Sequence, residues 1–253
     1  MLEAAVERAI DTMWDRYNEP LTLGELADAA ILSRYYFSRV FRVMTGTTPV
    51  RFLTAVRLYK AKNMLLETSM TVTEISYQVG YNSLGTFTSR FTRSVGISPA
   101  RYRFLSHSGI PSVSIPLPRD TGRSGSISGR LHLPDVGIPV RVYVALFESV
   151  IVEGQPIACD IVDAPGTYRL SGVPDGEWFI RAAAVTTTDL DPRPWHRRPL
   201  FVSRQKWVKV SGDAKMIDIN LRPVHTFDLP ILLALPELDG QTTPALVPAQ
   251  QMS

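Results

Sequence analysis

A shift of fifty residues lays the first part of this 253-residue chain onto itself, and this internal repeat limits the fold more than any other feature. Ser33 falls on Ser83, Phe37 on Phe87, Phe41 on Phe91, Gly46 on Gly96, Pro49 on Pro99 and Arg51 on Arg101. So many identities at one offset, the closing glycine and proline among them, are hard to attribute to chance. Upstream the offset becomes 49, with Glu25 on Glu74 and Leu26 on Ile75, so the connecting turns differ by one residue, where a change of length is tolerated most easily.

The repeated unit reads as helical, because its apolar residues recur at three- and four-residue intervals. Leu2, Val6, Ala9, Ile10, Met13 and Tyr17 mark a first helix that Pro20 stops. Thr22 with Glu25 three residues on forms a capping-box pattern, opening a short helix through Ala30. Ser33 caps a helix carrying Phe37, Val40, Phe41 and Met44, which ends at Gly46. Pro49 then admits a longer helix to about Glu67, with Phe52, Leu53, Val56, Tyr59, Met64 and Leu65 on its buried side. The pattern returns with Thr71 and Glu74, a break at Gly80, and a helix capped by Ser83 that carries Phe87 and Phe91. A short helix, a tight turn and a longer helix make a helix-turn-helix, whose second helix enters the DNA major groove. Two such units tied by the 50–67 helix, about 27 Å long, suit successive major-groove segments about 34 Å apart. One subunit would then cover a site of about two turns.

Leu26-Ala27, Phe41, Gly46, Arg57-Leu58, Ala61, Leu65-Leu66, Ile75, Gly80-Tyr81, Phe87, Phe91, Gly96, Ser98-Pro99 and Tyr102-Arg103 together resemble the DNA-binding domain of AraC/XylS-type transcription regulators, over residues 5–104. The resemblance implies seven helices, two motifs, promoter DNA as ligand, activation ahead of repression, and RNA polymerase as a partner. With the apolar positions turned inward, the first recognition helix presents Arg34, Tyr35, Ser38, Arg39 and Arg42. Arg39 is the expected base reader, because a guanidinium bonds guanine O6 and N7 together and the matching family position does the same. The second helix, opened by Ser83, presents Leu84, Gly85, Thr86, Ser89, Arg90 and Arg93. Here the family's usual arginine falls on Ser89, with Arg90 one place later and so turned by about 100°. The first motif is therefore expected to supply most of the sequence discrimination, and the second positioning and shape readout.

Charge and proline content divide the chain. Residues 1–106 hold 13 Lys/Arg against 9 Asp/Glu, so the positive excess lies there, whereas all but Pro20, Pro49 and Pro99 of the 19 prolines lie beyond. The Pro-, Ser- and Gly-rich stretch 107–125 reads as a linker. After it, SISGRLHL, PVRVYVALFES, PIACDIVD, TYRLSGV, EWFIRAAAV, KWVKVSG and AKMIDINLRP read as about seven short strands. The expected fold is thus an all-α double helix-turn-helix domain (1–106) followed by an antiparallel β-sandwich (126–223) and a C-terminal extension (224–253). The run Gly166–Trp178 resembles the hairpin of carboxypeptidase-regulatory-like and transthyretin-like domains, which supports an Ig-like or transthyretin-like sandwich. Leu229–Leu235 is expected to add an edge strand.

The chemistry in the sequence is sparse. One cysteine, Cys159, excludes a disulfide framework and a cysteine-based metal site. The four histidines are scattered, and HExxH, GxSxG and Walker patterns are missing, so no enzyme, no metal and no cofactor are expected. No apolar stretch approaches the ~18 residues of a membrane span and the first residues alternate charge with apolar groups, so a soluble cytoplasmic protein is expected. The loop Arg193-Pro194-Trp195-His196-Arg197-Arg198 is a candidate grip for an anionic ligand or a phosphate, against its reading as a solvated loop. In many regulators of the resembled type an effector-binding or dimerisation domain precedes the DNA-binding part. Here the strand-rich half follows it, leaving two roles open for that half: a ligand or carbohydrate sensor, or a module for homodimerisation.

Overall fold

The computed structural model describes residues 1–108, 124–152, 154, 156–163, 166–186, 199–204 and 206–232. Seven helices come first: α1 (Leu2–Asp15), α2 (Leu23–Ala29), α3 (Arg34–Thr45), α4 (Pro49–Glu67), α5 (Val72–Gln78), α6 (Leu84–Val95) and α7 (Pro99–Ser108). The expected starts are built by short polar side chains. Thr22 accepts from the Glu25 amide at 3.2 Å while the Glu25 carboxylate accepts from the Thr22 amide at 2.8 Å. Thr71 and Glu74 repeat this box at 3.2 and 2.6 Å. Each box satisfies two amides that a helix start leaves without intrahelical partners. Ser83 accepts from the Thr86 amide at 3.4 Å, but Ser33, at the same place before α3, makes no side-chain cap bond.

Both long helices of the repeat close on a left-handed glycine, Gly46 at φ 76° and Gly96 at φ 98°. The phenylalanines of the repeat lie in the core without exposure and meet edge to face. Phe37 packs on Phe41 at 5.4 Å and Phe41 on Phe52 at 5.5 Å; Tyr81 packs on Phe87 at 5.4 Å and Phe91 on Tyr102 at 5.9 Å. Such pairs contribute about 0.5–1.5 kcal/mol beyond the area they bury. Arg57, on the linking helix α4, fixes the turn between α1 and α2 by donating to the Tyr17 and Glu19 carbonyls, each at 2.7 Å. Gly80 passes close to this turn: a Cβ there would stand 2.8 Å from the Asn18 carbonyl oxygen.

The second half carries β1 (Ser124–His132), β2 (Val140–Phe147), β3 (Ala158–Val162), β4 (Thr167–Pro174), β5 (Gly176–Thr186), β6 (Phe201–Ser203), β7 (Lys206–Val210), β8 (Ala214–Met216) and β9 (Ile219–Pro223). Their order is β3-β2-β5-β6-β9-β1-β4, with β7 on β5 and β8 on β1. The expectation of a purely antiparallel arrangement of about seven strands is corrected here. Among the described residues there are nine strands, and β1 runs parallel to β8 and to β9. After β7 the chain turns through Ser211–Asp213 to the side of β1, and β8 and β9 both run alongside β1 in its own direction, which a count of alternating residues does not reveal. The two ends of the strand order approach each other, where the Arg169 amide donates to the Asp160 carboxylate at 2.7 Å. Inside lie Ile127, Val142, Val144, Leu146, Leu170, Ile180, Ala184 and Leu221. Tyr168 lies in this core with its hydroxyl donating to the Ile217 carbonyl at 2.7 Å; burial, and then Asp218, push its pKa up.

The stretch read as a linker gives up residues at both ends, since α7 runs to Ser108 and β1 starts at Ser124. The expected edge strand at Leu229–Leu235 does not form over the described residues up to 232. Pro230 lacks the amide a ladder needs, and the segment turns to the helices instead. Leu229, Leu232 and Ile151 lie buried in the core of the helical domain. Lys62 donates to the Leu232 carbonyl at 2.8 Å, and the Gly154 amide to the Ser94 carbonyl at 3.1 Å. The two domains are thus packed together. Among the described residues no helix is long and apolar enough to cross a membrane.

Candidate nucleic-acid interface

On a helix of 3.6 residues per turn, the buried positions of α3, Phe37, Val40 and Phe41, leave a polar stripe on the far side. Arg34, Tyr35, Arg39 and Arg42 are exposed there, Tyr35 to 82%, while Ser38 is half-buried. The Arg39 guanidinium lies 5.7 Å from the Tyr36 ring centroid, a cation–π contact that holds its long side chain beside the stripe. Gly24 gives Arg34 room, since a Cβ there would come within 2.9 Å of the guanidinium.

α6 repeats the arrangement. Phe87, Phe91, Ser94 and Val95 are buried, and Gly85, Thr86, Ser89, Arg90 and Arg93 are exposed on the opposite side behind the Ser83 cap. Arg90 stands near the Tyr81 phenol. Burial raises the pKa of Tyr81, and the charges of Arg90 and Arg57 act against that rise. The outer faces thus carry three exposed arginines on α3 and two on α6, with Ser38 half-buried and Ser83 serving as the cap of α6. The loop residues Arg193, Trp195, His196, Arg197 and Arg198 lie outside the described residues.

The surroundings of the two faces differ. Gly85, Thr86, Ser89, Arg90 and Arg93 form one wall of a cleft of about 910 Å³ whose other wall includes Glu148, Ser149 and Gly154 of the β domain. Arg51 and Thr54, on the first turns of α4, line the same cleft. Sequence reasoning missed these two as site residues. Arg51 was visible as an identity of the repeat, yet nothing in the spacing says which way the start of α4 faces.

Two short helices joined by a tight turn, twice over, with cationic outer faces on the second helix of each pair, define a helix-turn-helix DNA-binding domain. Residues 26–104 match the family model described as a helix-turn-helix domain. The helical half of this chain resembles the AraC/XylS type of that domain. It is 31% identical over 98 residues to the lactose operon transcription activator of Staphylococcus xylosus, covering 39% of this chain and 35% of that protein. It is 34% identical over 103 residues to the RCS-specific HTH-type transcriptional activator RclR of Escherichia coli, covering 41% and 36%. A crystal structure of the DNA-binding domain of AdpA, in complex with a target DNA, aligns at 28% identity and a TM-score of 0.41, covering 43% of this chain and 98% of that one. The chain spans about a third of the length of the curated relatives it matches.

Proposed function

We propose that this chain is a cytoplasmic, sequence-specific transcription regulator that binds promoter DNA through α3 and α6 and activates in concert with RNA polymerase. The observation that carries the reading is the repeated outer face: Arg34, Tyr35, Arg39 and Arg42 on one recognition helix, Thr86, Ser89, Arg90 and Arg93 on the other, each on a helix whose opposite side is fixed in the core. Arg39 reads a guanine edge, and Arg34, Arg42 and Arg93 bind phosphates. The β domain, a sandwich-like module, serves as sensor rather than catalyst. Its Glu148, Ser149 and Gly154 stand across the cleft from α6, so it controls when the second motif meets DNA. A homodimer through this domain is the second reading, and it would show as a spaced repeat in the selected DNA.

The test is selection of duplexes from a random pool at near-physiological and raised salt, with the full chain and its Leu232→Asp variant. Both should enrich one motif of about two turns, the variant more tightly because its β domain is undocked from the helical core. If neither chain enriches any motif, the DNA-binding reading fails. If the variant enriches nothing beyond the full chain, the controlling role of the β domain fails.

A further inference from the structure

Strand β5 alternates cleanly except at one position. Ile180, Ala182 and Ala184 face the inner core, and Val185 shares the outer face with Tyr143, Ala145 and Phe147 of β2. Arg181 also lies on that outer face, paired in register with Ala145, so a guanidinium stands in an apolar surface. Burial lowers its pKa, against the opposing effect of Asp228. Among the described residues Arg181 makes no hydrogen bond or ion pair. The nearby carboxylate of Asp228 is already held by both terminal nitrogens of Arg222, at 2.7 and 2.8 Å. Arg181 is half-buried, so its guanidinium keeps access to the cavity beside it and is free to meet an anionic group there.

Arg181 borders a cavity of about 690 Å³ between the β domain and the far end of α3, a volume that suits a small molecule. Arg204 and Arg222 line it as well, and Arg204 is exposed with no partner among the described residues. Opposite stand apolar groups from both domains: Val43 and Met44 of α3, and Val224, Phe227 and Leu229 from the segment after β9. Val43 is 79% exposed and Val224 50%, so each domain leaves an aliphatic side chain uncovered at this one place. Set against Glu3 and the engaged Asp228, the three arginines leave the cavity cationic.

We propose that this cavity is an effector site for a small amphipathic carboxylate, its head held between Arg181 and Arg204 and its apolar body laid against Val43, Met44 and Phe227. Two guanidinium groups match a carboxylate with paired charge-assisted hydrogen bonds. An occupant would touch α3 at Val43 and Met44, little more than one turn from Arg39, which gives the ligand a route to the first motif. The site rests on the reading of the β domain as a sensor; its test reads ligand binding itself and does not depend on DNA.

The experiment is calorimetric titration of the full chain with octanoate, octanol and inorganic phosphate, repeated on Arg181→Gln, Arg204→Gln and Val43→Glu. Octanoate should bind at least about tenfold more tightly than octanol or phosphate, and each variant should lose about tenfold or more in octanoate affinity. Arg204 and Val43 are exposed, so their variants decide the matter even if Arg181→Gln fails to fold. Equal affinity for octanoate and octanol, octanoate binding unchanged in Arg204→Gln and Val43→Glu, or no binding by the parent chain would each overturn the proposal. Loss in Arg204→Gln with none in Val43→Glu would overturn the part played by α3.

Discussion

The two helix-turn-helix units were built from one pattern, yet they hold their turns at different cost. In the first, Ala30 caps α2 and Ile31 takes φ +58°, with the Leu32 amide donating to the Ala27 carbonyl at 3.0 Å. In the second, Gly80 takes φ +82° and the Tyr81 amide donates to the Ser76 carbonyl at 3.0 Å. Ile31 and Gly80 are counterparts at the 49-residue offset. The same closing bond is made in both, but the first unit forces a β-branched residue into the left-handed region, a strain of about 1–2 kcal/mol. The recognition helices differ in the opposite sense. α3 has no side-chain cap bond and carries three exposed arginines, while α6 is capped by Ser83, carries two and stands across a cleft from the β domain. The unit that carries the strain is the one with the freer reading face.

The largest effect should come from the cores. Phe37→Ala and Phe87→Ala each remove a fully buried ring, and each should cost about 3–5 kcal/mol in urea unfolding. Equal losses would say that both units are packed alike. A clearly smaller loss at Phe87 would make the second unit the softer one.

Next come the reading faces, compared by DNA titration. Arg39→Ala should cost about 1–3 kcal/mol and relax the preference at one base pair. Arg90→Ala should weaken all sequences alike and reduce the salt slope by about 1. If Arg39→Ala leaves specificity intact while Thr86→Ala or Arg90→Ala abolishes it, the assignment of the first motif as reader is wrong.

The turns give opposite signs. Ile31→Gly should raise stability by about 1 kcal/mol, because its side chain is 79% exposed and little packing is lost. Gly80→Ala should lower it by more, since it adds left-handed strain to a close approach on Asn18. Thermal unfolding of the two variants tests both, and a gain smaller than the error at Ile31 would mean that the strain is relieved elsewhere.

The smallest effect concerns acid. Hydrogen bonds from the Thr22 amide and hydroxyl lower the pKa of Glu25, and those from Thr71 do the same for Glu74. A carboxylate with a lowered folded pKa contributes stability that is present above its unfolded value and lost as pH falls through the folded one. Unfolding followed from pH 7 into the acid range should show this loss, and Glu25→Gln with Glu74→Gln should flatten it. Arg16 lies 3.6 Å from Glu25, so added salt should trim the first box slightly more than the second.

How much of this could be read in the sequence depended on how local its cause was. Capping boxes, helix stops and the inward phenylalanines follow from neighbours three or four residues apart, and they stand where Thr22, Thr71, Phe37 and Phe87 place them. The strain at Ile31 was hidden because the demand is on the backbone, and only one copy of the repeat answers it with glycine. The parallel pairing of β1 with β8 and β9 was hidden too, since alternation says which face a residue takes and not which strand lies beside it. Arg181 stood in plain view within EWFIRAAAV, but its surroundings come from α3 and from the segment after β9.

Lys62 and Leu232, 170 positions apart in the chain, meet at the seam of the helical core. A ribosome delivers α1 to α7 long before it delivers Leu229 and Leu232, with every strand of the β domain synthesised in between. During that interval the helical domain must wait with an apolar gap on its surface, and it is sealed only once the strands of the β domain have emerged. Completion of the DNA-binding half thereby becomes a report that the other half has been made.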